Sequence, residues 1–233
     1  MKKVFVFFVS TVFCGTVMAQ SHEATVNQSG DMNLSDIEQA AYNNKATQTQ
    51  SGASNEAYID QLGSNNTAVQ NQTDRWPDVD DYADDASVAK ILQTGDWNTA
   101  RQTQKYEHND AYIKQSGNSN TATQVQEKWS NEADIVQSGS ENTATQTQKH
   151  TAAIADIVQS GNANTATQMQ EMGGKYNEAN ILQSGDNNIA TQRQFGESEH
   201  YEYNVLTIDQ RSNWNKANQV QYGSLNQSTI VQR

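Results

Sequence analysis

The 233-residue chain carries 27 acidic against 15 basic residues, a net charge of −12, with 34% hydrophobic residues and a single cysteine. No run of Lys and Arg is present to follow a phosphate backbone, which excludes nucleic acid as a partner and disfavours docking on an anionic membrane by charge. So little apolar content with so much charge ordinarily denotes disorder, unless a regular pattern overrides it.

Residues 1–19 read as a secretory signal peptide. Lys2 and Lys3 form a positive start, Val4 to Val17 an apolar run, and Val17-Met18-Ala19 a small-residue cleavage site, with the cut between Ala19 and Gln20. Cys14 lies inside the apolar run, so the mature chain has no cysteine and gains nothing from disulfides. Residues 20–27 form a short N-terminal segment ahead of the repeats.

From residue 28 to 233 one spacing dominates. Glutamine recurs every eleven residues at Gln28, Gln39, Gln50, Gln61 and Gln72, then at Gln93, Gln104, Gln115, Gln126, Gln137, Gln148, Gln159 and Gln170. After small slips it resumes at Gln183, Gln194, Gln210, Gln221 and Gln232. Asparagine stands six residues before most of these: Asn33, Asn44, Asn55, Asn66, Asn98, Asn109, Asn120, Asn131, Asn142, Asn164, Asn177, Asn188, Asn204, Asn215 and Asn226. Ser87 and Ala153 take the asparagine place in two copies, and alanine usually stands four before the glutamine. A fixed period of this kind marks stacked units that share one core.

Steps of two collect Asn131, Ala133, Ile135 and Gln137 on one face of a strand, and Glu132, Asp134 and Val136 on the other. A helix would smear that constant face around its cylinder. Two kinds of strand alternate. One has Ile two before the ladder glutamine (Ile37, Ile59, Ile91, Ile113, Ile135, Ile157, Ile181, Ile208, Ile230). The other has Gln there (Gln48, Gln70, Gln102, Gln124, Gln146, Gln168, Gln192, Gln219). The unit is therefore about 22 residues, two strands and two turns. Glycines at Gly30, Gly63, Gly95, Gly117, Gly139, Gly161 and Gly185 supply the positive φ of the tight turns; Ser212 replaces one of them.

The fold predicted is an all-β, flattened β-solenoid with two strands per rung. It has eight full rungs and a half-rung at each end, roughly 40 Å tall at about 4.8 Å per rung. Inward amides sit above their twins and satisfy one another, with Ile and Ala between them. Extra residues are expected only at the return connections: about ten before Gln93, two before Gln183 and five before Gln210, in chain order. The first, an acidic insertion at 73–85, holds Pro77 and the aspartates Asp74, Asp78, Asp80, Asp81, Asp84 and Asp85. Its spacing fits no calcium-binding loop, so it reads as a solvated bulge.

The pattern Gln-x-Gly-x-x-Asn-x-Ala-x-x-x-Gln, at Gln115–Gln126, Gln137–Gln148 and Gln159–Gln170, resembles the curlin repeat of bacterial curli subunits. The resemblance runs from Gln28 to Gln232. It implies a structural protein exported unfolded through a dedicated outer-membrane channel with chaperones. It further implies polymerisation with itself and a paralogous subunit into extracellular, cell-surface amyloid fibres of the biofilm matrix. Whether the chain matches the major or the nucleating subunit stays open. A Gly-rich leader is absent after the cleavage site, and the repeats outnumber the five typical of familiar members.

The repeat series reaches nearly to both ends of the sequence without polar capping units, so head-to-tail growth is expected. Outward Glu132, Asp134, Asp156 and Glu178 serve as gatekeepers against premature collapse. His22, His108, His150 and His200 are scattered without metal-ligand spacing, and no nucleophile–base pair stands out, so neither metal, cofactor, small-molecule substrate nor catalysis is expected. Trp97, Trp129 and Trp214 are expected to pack over turns, with Trp76 in the insertion. The competing class is a soluble secreted β-solenoid that binds ice, calcium or glycans, with Thr143, Thr145, Thr165 and Thr167 as an outward row.

Overall fold

The computed structural model describes residues 21–73, 86–171, 175–195 and 201–233. The signal peptide with Ala19 and Gln20, the acidic insertion beyond Thr73, Trp76 and His200 lie outside the described residues.

Eighteen strands follow one another: β1 (Glu23–Ser29), β2 (Leu34–Tyr42), β3 (Lys45–Ser51), β4 (Glu56–Ser64), β5 (Thr67–Thr73), β6 (Val88–Thr94), β7 (Thr99–Lys105), β8 (Asp110–Asn118) and β9 (Thr121–Glu127). They continue as β10 (Glu132–Ser140), β11 (Thr143–Gln148), β12 (Ile154–Ser160), β13 (Thr165–Glu171), β14 (Lys175–Ser184), β15 (Ile189–Phe195), β16 (Tyr201–Gln210), β17 (Lys216–Tyr222) and β18 (Gln227–Gln232). Odd-numbered strands form one nine-stranded sheet and even-numbered strands a second, each strand next to those two places away in sequence. All pairs are parallel, and Ala, Ile and Gln fall on Ala, Ile and Gln. The chain is thus a two-sheet parallel β-solenoid, as its period requires. One boundary differs: residues 23–27, expected ahead of the solenoid, belong to β1, because Ala24 and Val26 share the inward alternation of Gln28.

The core between the sheets is narrow and half polar. Ile59, Ile91, Ile113, Ile135, Ile157, Ile181 and Ile208 stack with the alanine column of the odd sheet, Ala46 to Ala217, into one buried cluster, flanked by half-buried Ile37 and Ile230. The three places with extra residues all fall between an odd strand and the next even one, which is the same edge of the solenoid. Register survives them: Gln61 still meets Gln93, Gln159 meets Gln183, and Gln183 meets Gln210.

The turns use more left-handed backbone than glycine alone explains. At the β12–β13 turn Gly161 has φ +105°, and Ala163, just before Asn164, has φ 55°. The residue preceding the asparagine is left-handed at Asn65, Trp97, Ser119, Glu141, Asn187 and Trp214 too, and on the opposite edge at Ser54, His108, Ser130 and Leu225. A side chain there costs about 1 kcal/mol relative to glycine. Glu141→Gly should therefore raise stability by about 1 kcal/mol, less the extra chain entropy glycine brings to the unfolded state. The guanidinium midpoint checks it; a lowered midpoint would show that Glu141 contributes more than it strains.

The same corner corrects the expectation for the tryptophans. Trp97 and Trp214 are 63% and 77% exposed, because the left-handed backbone aims them outward. Trp129 does find a neighbour, the ring of Tyr106 at 5.4 Å edge to face.

Candidate assembly site: amide ladders and end faces

Glutamine suits the core because its amide has two N–H donors and a carbonyl acceptor on a chain long enough to reach along the axis and across it. Gln137 shows the pattern. Its Nε2 donates to Oε1 of Gln159 at 2.9 Å and to the backbone carbonyl of Thr121 on the opposite sheet at 3.0 Å, while its Oε1 accepts from Gln115 at 2.9 Å. Along the even sheet the column runs unbroken through Gln39, Gln61, Gln93, Gln115, Gln137, Gln159, Gln183, Gln210 and Gln232. Along the odd sheet it runs through Gln28, Gln50, Gln72, Gln104, Gln126, Gln148, Gln170 and Gln194. Gln221 is the exception: both its amide atoms are buried without a partner.

A third ladder, not among the eleven-residue series, occupies the centre of the core. Gln48, Gln70, Gln102, Gln124, Gln146, Gln168, Gln192 and Gln219 bond in sequence. The alternation of Ile and Gln two places before the ladder glutamine was its only signal in the sequence. In all three ladders every Nε2 donates toward the C-terminal rung, so the stack has a chemical direction. Donors point out at one end and acceptors at the other.

The asparagines add contacts to turn backbone to the amide-to-amide stacking expected of them. Asn142 donates from Nδ2 to the carbonyl of Gly161 in the next rung at 2.8 Å, and its Oδ1 accepts the backbone N–H of Asn164 at 3.0 Å. Asn44, Asn66, Asn98, Asn120 and Asn164 donate likewise to the glycine carbonyl one rung on. Asn188 and Asn215 continue this edge. Asn33, Asn55, Asn109, Asn131, Asn177, Asn204 and Asn226 line the other edge. There Ser87 substitutes chemically, since its Oγ accepts the N–H of Asn109. These asparagines staple a turn backbone to its neighbour, because the shorter side chain sits at the turn within reach of backbone groups. Amide-to-amide bonds accompany this through Asn98, Asn120, Asn142 and Asn164 on one edge, and join Asn33 to Asn55 and Asn177 to Asn204 on the other. Gly30 stacks on Gly52 at the edge after the odd strands, opposite the column of Gly63, Gly95, Gly117, Gly139, Gly161 and Gly185.

The outer faces carry charge in register. Lys45 with Glu23, Lys105 with Glu127 and Lys149 with Glu171 form ion pairs of 2.9, 2.7 and 2.6 Å between adjacent rungs of the odd sheet. On the even sheet Asp134 stacks on Asp156, with Glu132 and Glu178 beside them. Partial burial, then Asp134, Glu132 and Glu178, push the Asp156 carboxyl up to about 6. Burial also raises Asp134 and Asp110, with neighbouring carboxylates adding to it. A raised carboxyl means the folded state holds its proton more tightly, so stability is lost as pH rises from about 4 through 6 and is full below. The solenoid should gain about 1 kcal/mol between pH 7.5 and 4.5 from Asp156, after discounting for its half exposure. Asp156→Asn should flatten that part of the profile of guanidinium midpoint against pH. An unchanged slope would refute it.

Aromatic rings pair between rungs at Tyr176–Tyr203 and Phe195–Tyr222, stacked at 5.3 and 5.1 Å. Among the described residues no three His, Cys, Asp or Glu side chains are grouped to hold a metal ion. No described helix is long and apolar enough to cross a membrane.

Two faces end the described stack. β1 and β2 have strand neighbours on one side only, as do β17 and β18. Their outer edges present strand N–H and C=O groups. Comparison with known families finds the curlin associated repeat at residues 41–73, which span the end of β2 through β5. No curated protein matches the chain.

Proposed function

We propose that the chain, which matches the curlin associated repeat at residues 41–73, is a secreted structural subunit that polymerises into curli-like functional amyloid fibres on the bacterial surface. One observation carries the reading: three in-register glutamine ladders share one direction, between end faces whose strand edges have no described neighbour. Strand edges of this kind template further pairing, and a contact joining unlike ends grows a filament rather than closing. Fibres of this sort support biofilm matrix and adhesion. A paralogous subunit and a dedicated export channel with chaperones complete the proposal, from the family resemblance. In this reading the chain has no catalytic role.

A seeded thioflavin-T time course on chain diluted from denaturant tests it. Expected is growth after a lag that preformed fibres shorten, and a meridional reflection near 4.8 Å from aligned fibres. Growth without a lag would assign the nucleating role. A stable β-rich monomer that never seeds would overturn the reading and leave a binding module for ice, calcium or glycans, for which the outward rows Thr121–Thr143–Thr165 and Thr123–Thr145–Thr167 are the candidate surface.

A further inference from the structure

Resting on the polymer reading above, we infer that copies join with β1 and β2 of one seated on β17 and β18 of another, and that Val26 makes this junction the plane along which the fibre opens. Register fixes the seating. Within the chain, β1 sets Ala24, Val26 and Gln28 against Ala46, Gln48 and Gln50, and β15 sets Ala190, Gln192 and Gln194 against Ala217, Gln219 and Gln221. Continuing the same columns places Ala24, Val26 and Gln28 of a second copy over Ala217, Gln219 and Gln221. On the other sheet Asn33, Ile37 and Gln39 fall over Asn226, Ile230 and Gln232.

Each edge column finds a donor–acceptor match across this contact, although the odd column keeps its internal gap between Gln194 and Gln221. Gln221 is buried without a partner, and Gln28 and Gln39 turn their Oε1 acceptors toward the incoming face. Charge agrees: Lys216 comes beside Glu23, which already pairs with Lys45 at 2.9 Å one rung on. These matches specify a second copy of the chain.

The central column does not close. Gln219 Nε2 is buried and has no partner. Over it would stand Val26, which has no acceptor. One rung farther, Gln48 Oε1 already accepts from the Ser35 hydroxyl. Ser35 stands where most even strands have alanine, so the first rung terminates the central ladder from within. Every junction therefore buries a donor of a kind that no described internal rung leaves unpaired, and the fibre is weakest there.

Two measurements test this in the full chain carrying Cys14→Ser. Thr25 and Asn218 are exposed and share one outward column, so across the junction their Cα atoms lie about 4.8 Å apart, within disulfide reach. Oxidised fibres of T25C/N218C should give a ladder of covalent multimers, and T25C/V220C, two residues out of register, should give monomers. Val26→Gln supplies the missing acceptor and should lower the soluble concentration in equilibrium with fibres about ten-fold, whereas Val26→Ala should not. Fibres without multimers overturn the junction and leave the polymer reading standing. An unchanged soluble concentration for Val26→Gln overturns the seam. No fibres at all overturns the polymer reading and the junction with it.

Discussion

Replacing Gly139 by alanine should destabilise the solenoid by about 4 kcal/mol or prevent its folding, although only one methyl group is added. Gly139 has φ +100°, a conformation costly for any residue with a Cβ. The second cost is the larger. A Cβ at 139 would overlap the carbonyl oxygen of Gly161 and lie 2.9 Å from its carbonyl carbon. That carbonyl is fixed, because it accepts from Asn142 Nδ2 and belongs to a rung locked on both sides. Parallel rungs about 4.8 Å apart leave no room to yield. Far-ultraviolet circular dichroism after dilution from denaturant, with the guanidinium midpoint where a transition exists, measures the loss. Ser138→Ala, one residue away and bonded only weakly through its Oγ at 3.4 Å, should stay within about 0.5 kcal/mol of the parent. A G139A chain within 1 kcal/mol of the parent would show that the turns can separate.

Gln137→Leu should cost about 3–5 kcal/mol, more than its near-identical volume predicts. The leucine leaves Gln159 Oε1 without the donor that Gln137 provided, Gln115 Nε2 one acceptor short, and the Thr121 carbonyl without its cross-core donor. Gln159 and Gln115 are buried where water does not replace the loss. The same change at half-buried Gln232, at the end of the column, should cost about 1 kcal/mol or less in the monomer. Denaturant midpoints with unchanged slope read the difference. The double variant Q115L/Q137L should cost clearly less than the two single changes together, because it removes a donor and its acceptor at once. Additive costs would mean the ladder does not act as a unit.

Much of this architecture was legible in the chain. The step of two in Asn131, Ala133, Ile135 and Gln137 allows only a strand, and the eleven-residue spacing allows like residues to meet only if strands two apart pair in parallel. The exposure of Trp97 and Trp214 is not legible in the chain, because a turn's handedness at the residue before asparagine is set by closure onto the next strand, which composition does not encode. The asparagine columns keep amide partners in several rungs and hold turn backbone as well, which the spacing alone does not show. The central ladder from Gln48 to Gln219 was visible only as an alternation with isoleucine.

Sequence alone therefore determined the period, the inward set and the register, since strand geometry converts spacing into position without further information. Only the tertiary structure decided where each amide hydrogen goes. That choice depends on atoms about 22 residues away along the stack, or across the core on the other sheet. The shared direction of the ladders, the asparagine staples, and the lone Val26 beneath Gln48 all follow from those distant neighbours.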